Sequence, residues 1–287
     1  MKTYFDCYAC FIKQTLKLAR MTVCSETCQK RILNKVLSIL LNCDLELTPP
    51  LIAEQIEKII HSYTKCKDPY KNLKKISNDE SLKIYPRMKK VLNASKDKLN
   101  TALKISAFGN LIDFAVLESI NLKKELLEFK NFKTEFQAFK EFSKKLKQAQ
   151  SILIIGDNAG EIVFDKILIE YLKETFENLK IYFAVRGGPV INDAILEDAE
   201  YVGMDNVCEV ISNGLKTPGT VIERCSKKFI KIFNAVDLII SKGQGNYESL
   251  SNLKDERIYY LLKVKCEVVS KHLGIEIGKA AMISLTK

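Results

Sequence analysis

The run SILIIGD, residues 151–157, decides the fold: an isoleucine-rich stretch that ends in Gly156-Asp157 and opens into helical spacing through about Asn178. A short apolar run rich in β-branched residues and closed by a glycine turn is the pattern of a strand buried on both faces. The same texture recurs downstream. KIYFAV (180–185) is a second strand, closed by the loop RGGPVIND and followed by a helix, and CEVI (208–211) is a weaker third. A helix over 220–234 leads to DLIIS (237–241), a fourth strand, which ends in KGQGNYE. RIYYLLKV (257–264) is a fifth, before a helix-like terminal stretch. Strands alternating with helices of this length predict right-handed βαβ units and a mostly parallel sheet.

Upstream the period changes. Residues 1 to about 148 show no strand pattern, and helical spacing dominates. Ile52, Ile56, Ile59, Ile60 and Tyr63 form one face behind the start signal Thr48-Pro49. Asp68-Pro69 is a second start signal, Pro86 interrupts the lysine-rich segment after it, and Leu99, Leu103 and Ala107 mark a further helix face. A long helix around 122–148 joins the halves. The expected fold is therefore α/β, with an all-helical subdomain over 1–148 and an α/β domain over 149–287.

Composition bounds the function. With 287 residues and 47% hydrophobic content the chain can bury a substantial core. No apolar run approaches the roughly 20 residues needed to span a bilayer. The start, MKTYFDCYACFIKQ, lacks the apolar stretch and cleavage site of a signal peptide. A cytoplasmic protein without membrane partners is expected. The net charge of +10 comes from lysines interleaved with glutamates, as in LKKELLEFKNFKTEFQAFKEFSKKLK (122–147), which reads as solvated helix surface. With no basic–aromatic alternation of the kind that stacks bases, nucleic acid is not the expected partner. Small anions suit the charge equally well.

Ligands of parallel α/β sheets sit beyond the carboxyl ends of the strands. Three polar, glycine-rich loops fall there: Gly156-Asp157-Asn158-Ala159-Gly160-Glu161, Arg186-Gly187-Gly188-Pro189 with Asn192-Asp193, and Lys242-Gly243-Gln244-Gly245-Asn246. Asp157, Asn158 and Asp193 are hard oxygen ligands suited to Mg²⁺ or Mn²⁺. Lys242 and Arg186 are cations suited to phosphate, and Gly243 lets backbone N–H groups approach an anion. Any one loop alone reads as a helix cap on an ordinary turn; the coincidence of three argues for phosphoryl chemistry on a small molecule. The same loops without turnover describe a nucleotide- or sugar-phosphate-binding protein. Other chemistries fit less well. KGQGNYE lacks the third glycine of a dinucleotide fingerprint, and no Walker lysine loop exists. Ala159 stands where aspartyl-phosphate phosphatases need a second aspartate, and His61 and His272 are too few for a histidine-rich zinc site.

GDNAGEIVFD, RGGPVINDA and SKGQGNYE, in this order and spacing, resemble the damage-control phosphatases (domain of unknown function 89), in their cysteine-containing microbial branch. The likeness extends to FGNLIDFAV, with Gly109, Asn110 and Asp113, to Cys7 and Cys10 followed by Gln14, and to YYLLKVKCEVVSKHLG. The resemblance implies a helical amino-terminal subdomain attached to a Rossmann-like α/β/α domain. It also implies a divalent-metal-dependent phosphomonoesterase, using Mg²⁺, Mn²⁺, Co²⁺ or Ni²⁺, that acts on small phosphorylated metabolites, including sugar phosphates and damaged or by-product phosphates. By motif position Asp157, Asn158 and Asp193 are the metal ligands and Asp157 and Lys242 the catalytic residues. Lys242 contacts phosphate, and Arg186, Gly243, Asn246, Asn110 and Asp113 line the substrate site. Whether the nucleophile is water or Asp157 stays open at this stage.

Nine cysteines remain to be placed. Cys7, Cys10, Cys24 and Cys28 have spacing compatible with a zinc site, and Cys7 with Cys10 could form a redox dithiol. The helical periodicity of YACFIKQTLKLAR instead sets Cys7, Cys10 and Phe11 on one buried face, so packing is the expected role.

Overall fold

The apolar runs SILII, KIYFAV, LIISK and IYYLLK pair side by side as the centre of one sheet. A computed structural model of the chain describes residues 1–22, 25–64, 66–110 and 122–285. The strands are β1 (Thr134–Glu135), β2 (Ser151–Ile155), β3 (Lys180–Val185), β4 (Glu209–Ser212), β5 (Leu238–Lys242), β6 (Ile258–Lys263) and β7 (Ala280–Ser284), in one sheet of order β1-β7-β6-β5-β2-β3-β4. Every neighbouring pair is parallel except β6 with β7. The order reverses between β2 and β5. From β2 the chain builds outward through β3 and β4, then crosses back to β5 and builds toward β6. That reversal opens a crevice beyond the ends of β2 and β5, the usual ligand position of such sheets.

Side-chain alternation divides the core into two layers. Ile152, Ile154, Leu238, Ile240, Tyr259 and Leu261 face one layer, and Leu153, Ile155, Ile239, Ile258, Tyr260 and Leu262 face the other. The helices in chain order are α1 (Asp6–Met21), α2 (Glu26–Leu41), α3 (Pro49–Thr64), α4 (Lys71–Asn93), α5 (Lys98–Phe108), α6 (Leu122–Asn131), α7 (Phe139–Leu146), α8 (Glu161–Thr175), α9 (Leu196–Tyr201), α10 (Lys227–Ala235), α11 (Gln244–Leu250) and α12 (Glu267–Leu273). Helices α4, α5, α7 and α8 cover the first layer, through residues such as Met88, Phe108, Phe142 and Ile167. Phe229 and Phe233 of α10, Tyr247 of α11 and Val269 of α12 cover the second. Helices α1–α3 form a separate apolar cluster around Phe11, Ile32, Val36, Ile52 and Ile56. Among the described residues no helix is long and apolar enough to cross a membrane.

The structure corrects four local expectations. The helical half does contain a strand: Thr134 and Glu135 pair with Ala280 and Ala281. The expected helix over 122–148 is accordingly two helices, because backbone groups at Lys133 and Ala138 bond Ala280 and Met282 instead of continuing a helix. Pro86 does not interrupt its segment; α4 runs through it. Proline removes one donor, and burial of Ile84, Met88 and Leu92 on both sides of Pro86 holds the helix together. Finally, the terminal stretch is a short helix followed by an antiparallel strand, the chain turning at Gly274 (φ +68°) and Gly278 (φ +92°).

Candidate active site

Asp157 stands immediately beyond β2, and its loop is stitched to the loop that follows β3. Ala194 N–H donates to the Asp157 carbonyl (2.8 Å), and Ala159 N–H donates to the Asn192 carbonyl (2.9 Å). An isolated antiparallel bridge pairs Asn158 with Asp193. Two loops distant in sequence thus present Asp157, Asn158 and Asp193 together. The third loop closes from the β5 side. Gly243 has φ +76°, and a Cβ there would lie 2.0 Å from Asp157 Oδ2, so a glycine is required on both counts.

The Asp157 carboxylate collects donors. Its Oδ2 accepts from Asn158 Nδ2 (2.7 Å) and Asn110 Nδ2 (3.1 Å), and the same amides donate to Glu161 Oε2 at 3.2 and 2.5 Å. Arg186, 1% exposed, joins the two aspartates: Nε donates to Asp193 Oδ2 (2.6 Å), and Nη2 lies 3.8 Å from Asp157 Oδ1. The guanidinium is fixed from behind by Thr220 Oγ1 (3.1 Å) and Asn246 Oδ1 (3.0 Å). Asn246 in turn donates to the carbonyls of Gly156 (3.1 Å) and Lys242 (2.7 Å), tying the β2 and β5 ends together.

Lys242 points beneath this layer. Its Nζ meets Glu161 Oε1 (2.8 Å), Ser106 Oγ (2.7 Å), the Ser106 carbonyl (2.9 Å) and Asp165 Oδ1. Four acids, Asp157, Glu161, Asp165 and Asp193, are therefore buried with two cations, Lys242 and Arg186. Burial, with the negative charges of Asp193 and Glu161, pushes the Asp157 carboxyl up to about 7. Burial also lifts Asp193, against the pull of Arg186, and lifts Asp165 to about 6, against the pull of Lys242. Burial opposes charge on Lys242, but Asp165 and Glu161 outweigh it and hold the ammonium pKa raised. The ensemble is short of positive charge. It lacks a cation.

Comparison with known proteins establishes the family. A family model described as the damage-control phosphatase ARMT1-like domain matches residues 3–281. The chain belongs to the damage-control phosphatase family. A damage-control phosphatase of Pyrococcus horikoshii is 32% identical over 280 residues, covering 97% of this chain and 96% of that protein. One from Archaeoglobus fulgidus is 30% identical over 230 residues, 79% of each chain. The crystal structure of a family protein from P. horikoshii superimposes with a TM-score of 0.92 at 30% identity, covering 100% of both chains.

The structure places the expected site residues at two depths. Asp157, Asn158, Asp193, Asn110 and Gly243 meet around one point. Arg186, Lys242 and Asn246 are buried against protein partners, and Asp113 lies outside the described residues. Among the described residues no three His, Cys, Asp or Glu side chains are grouped to hold an ion, so the candidate ligand set depends on the amide of Asn158. Its chemistry nevertheless suits a hard cation: all donors are oxygens, and the buried Asn110 Oδ1 has no hydrogen-bond partner among the described residues.

Sequence reasoning missed Ser106, Asp165 and Lys265. Ser106 sits inside an apolar helix face with nothing to mark it, and Asp165 closes the GDNAGEIVFD segment with no role assigned to it from sequence. Lys265 is exposed, and its charge reaches Asp157. The cysteine expectation needs correction as well. Cys10 is exposed and Cys7 half-buried, both as free thiols, while α1 buries Phe11, Thr15, Leu18 and Ala19. Cys24 lies outside the described residues.

Gly243 supplies a direct test of this geometry. Gly243→Ala is expected to displace the Asp157 carboxylate and lower kcat/KM by roughly 100-fold, the scale of an ångström misplacement. Steady-state kinetics together with a Mn²⁺ titration would check it; wild-type values in both would mean that Asp157 does not depend on this close approach.

Proposed function

We propose that the protein is a divalent-metal-dependent phosphomonoesterase of small phosphorylated metabolites, among them sugar-phosphate-like and damaged or by-product phosphates. The observation that carries this reading is the unbalanced cluster of buried acids at the sheet's reversal point, joined by an amide on the adjoining loop. Asp157, Asn158 and Asp193 would hold the ion. Once bound, the ion supplies Lewis-acid polarisation of the phosphoryl oxygens.

The chain's own residues do the rest. Arg186 orients the two aspartates and opposes the rise that burial imposes on them, and Asn110 holds Asp157 and Glu161 at a fixed separation. Lys242 pairs with Glu161 and Asp165 and offsets their charge beneath the site. Lys265, exposed at the rim, is the cation available to the substrate's phosphate.

Phosphate release from a panel of phosphorylated metabolites, with Mg²⁺, Mn²⁺, Co²⁺ or Ni²⁺, tests the proposal. EDTA should abolish turnover and a divalent ion should restore it. Full activity in exhaustively chelated protein would overturn metal dependence, and saturable binding of the same compounds without release would make this a phosphate-binding protein instead.

A further inference from the structure

Helix α4 lies outside the three loops, yet one of its side chains holds two of them. Asn78 is 1% exposed. Its Oδ1 accepts from the backbone N–H of Gly160 (2.7 Å), and its Nδ2 donates to Asp198 Oδ1 (3.2 Å). Gly160 ends the turn that begins at Asp157 and Asn158. Its φ of +80° keeps it flush against α4, where a Cβ would come within 3.0 Å of Ser77 Cβ and 3.1 Å of Ser81 Oγ. Asp198 belongs to the other loop's end: its Oδ2 accepts from the N–H of Ile195 (3.1 Å), two residues beyond Asp193, and from Lys74 Nζ (3.0 Å). Lys74 is also paired with Asp68 (3.1 Å).

The chemistry explains why an asparagine stands there. The Gly160 side needs an acceptor and the Asp198 side needs a donor, on one short planar group. A carboxylate at 78 would satisfy Gly160 but confront Asp198 with like charge. An aliphatic residue would leave a buried N–H unpaired, a cost comparable to a lost hydrogen bond.

We propose that Asn78 is a positioning residue that locks the Asp157–Asn158 turn to the Asp193 loop and so sets the affinity of the site for its divalent ion. The proposal rests on the metal-site reading above. Groups that orient metal ligands without touching the metal commonly govern affinity, because they fix the ligands before the ion arrives.

The test is Mn²⁺ binding to metal-free protein by calorimetry, with thermal unfolding measured alongside. Asn78→Ala and Asn78→Asp should each raise the Mn²⁺ Kd by about 10- to 100-fold, the range for groups one shell removed from a metal. The paired change Asn78→Asp with Asp198→Asn exchanges donor and acceptor and leaves the new carboxylate one helical turn from Lys74. It should recover affinity toward the wild-type value. A purely structural residue would lower Tm without changing Kd in the folded protein, and that result overturns the proposal. Failure of the paired variant to recover affinity overturns it too. If Asn78→Ala does not fold, the comparison of Asn78→Asp with the paired variant decides. Wild-type protein that binds no Mn²⁺ would sink the metal-site reading itself; wild-type binding with unaltered variants would sink only the role of Asn78.

Discussion

Asp157→Asn is expected to make the metal-free protein more stable than wild type at neutral and alkaline pH, while removing ion binding and cutting phosphatase turnover by roughly 100-fold or more. In the folded metal-free protein burial and the charges of Asp193 and Glu161 hold the Asp157 carboxyl at about 7, against an ordinary value of 3.8. Between those values the folded state binds a proton that the unfolded state has released. Stability of the metal-free wild type therefore falls as pH rises from about 4 to about 7. An amide at 157 does not titrate, and its oxygen can keep the bonds from Asn110 and Asn158, so this part of the pH dependence disappears. Adding Mn²⁺ reverses the ranking, because an ion at 100 times its Kd stabilises the folded wild type by about 2.7 kcal/mol and the variant by nothing. Urea titrations at pH 5 and pH 8, with EDTA and with Mn²⁺, read all of this out. Identical pH profiles for the two metal-free proteins, or equal Mn²⁺ stabilisation, would show that Asp157 is not the strained acid of the site. The trade of stability for function is the behaviour expected of a preorganised charged site.

The difference between what the sequence disclosed and what it withheld has a physical pattern. Strands β2, β3, β5 and β6 were legible because they are buried on both faces and read as continuous apolar runs, as in LIISK and IYYLLK. β1 was not, since two residues carry no period and Thr134 and Glu135 become a strand only because β7 offers them an edge. The loops after β2 and β3 could be read as convergent, because topology alone brings them to one sheet edge. What could not be read was the depth of each cation. Lysine after a strand looks the same on paper whether its ammonium reaches solvent or folds back between helices. Only the acids of α8 and Ser106 of α5, fixed by packing in the first core layer, settle where the side chain goes. Asn78 was hidden for the same reason, its partners lying 82 and 120 positions away along the chain.

Lys242→Met is expected to destabilise the protein by about 3–5 kcal/mol, the scale for breaking a buried charge pair from one side. The lysine is 0% exposed, as is Asp165, and Glu161 is 1% exposed. Removing the ammonium leaves two acids with Ser106 Oγ and the amides of Asn110 and Asn158 as remaining donors nearby. Methionine fills similar volume, so the loss reports charge rather than a cavity. Adding Asp165→Asn removes one of the stranded acids and should return part of the stability. Lys242→Arg should not substitute, because the guanidinium is planar and larger than the space between α5 and α8 that receives a compact ammonium. The double variant also separates two roles for this residue. If Lys242 only neutralises the acids beneath the site, Lys242→Met with Asp165→Asn should bind Mn²⁺ and turn over substrate close to wild type once folded. If the lysine also moves to the transferring phosphoryl group, kcat/KM should stay down by roughly 100-fold in a variant whose stability and Mn²⁺ affinity have recovered. Denaturation, Mn²⁺ titration and kinetics on the same preparations decide between them. Full stability in Lys242→Met alone would mean that the buried cage around this lysine is not what holds Glu161 and Asp165 in place.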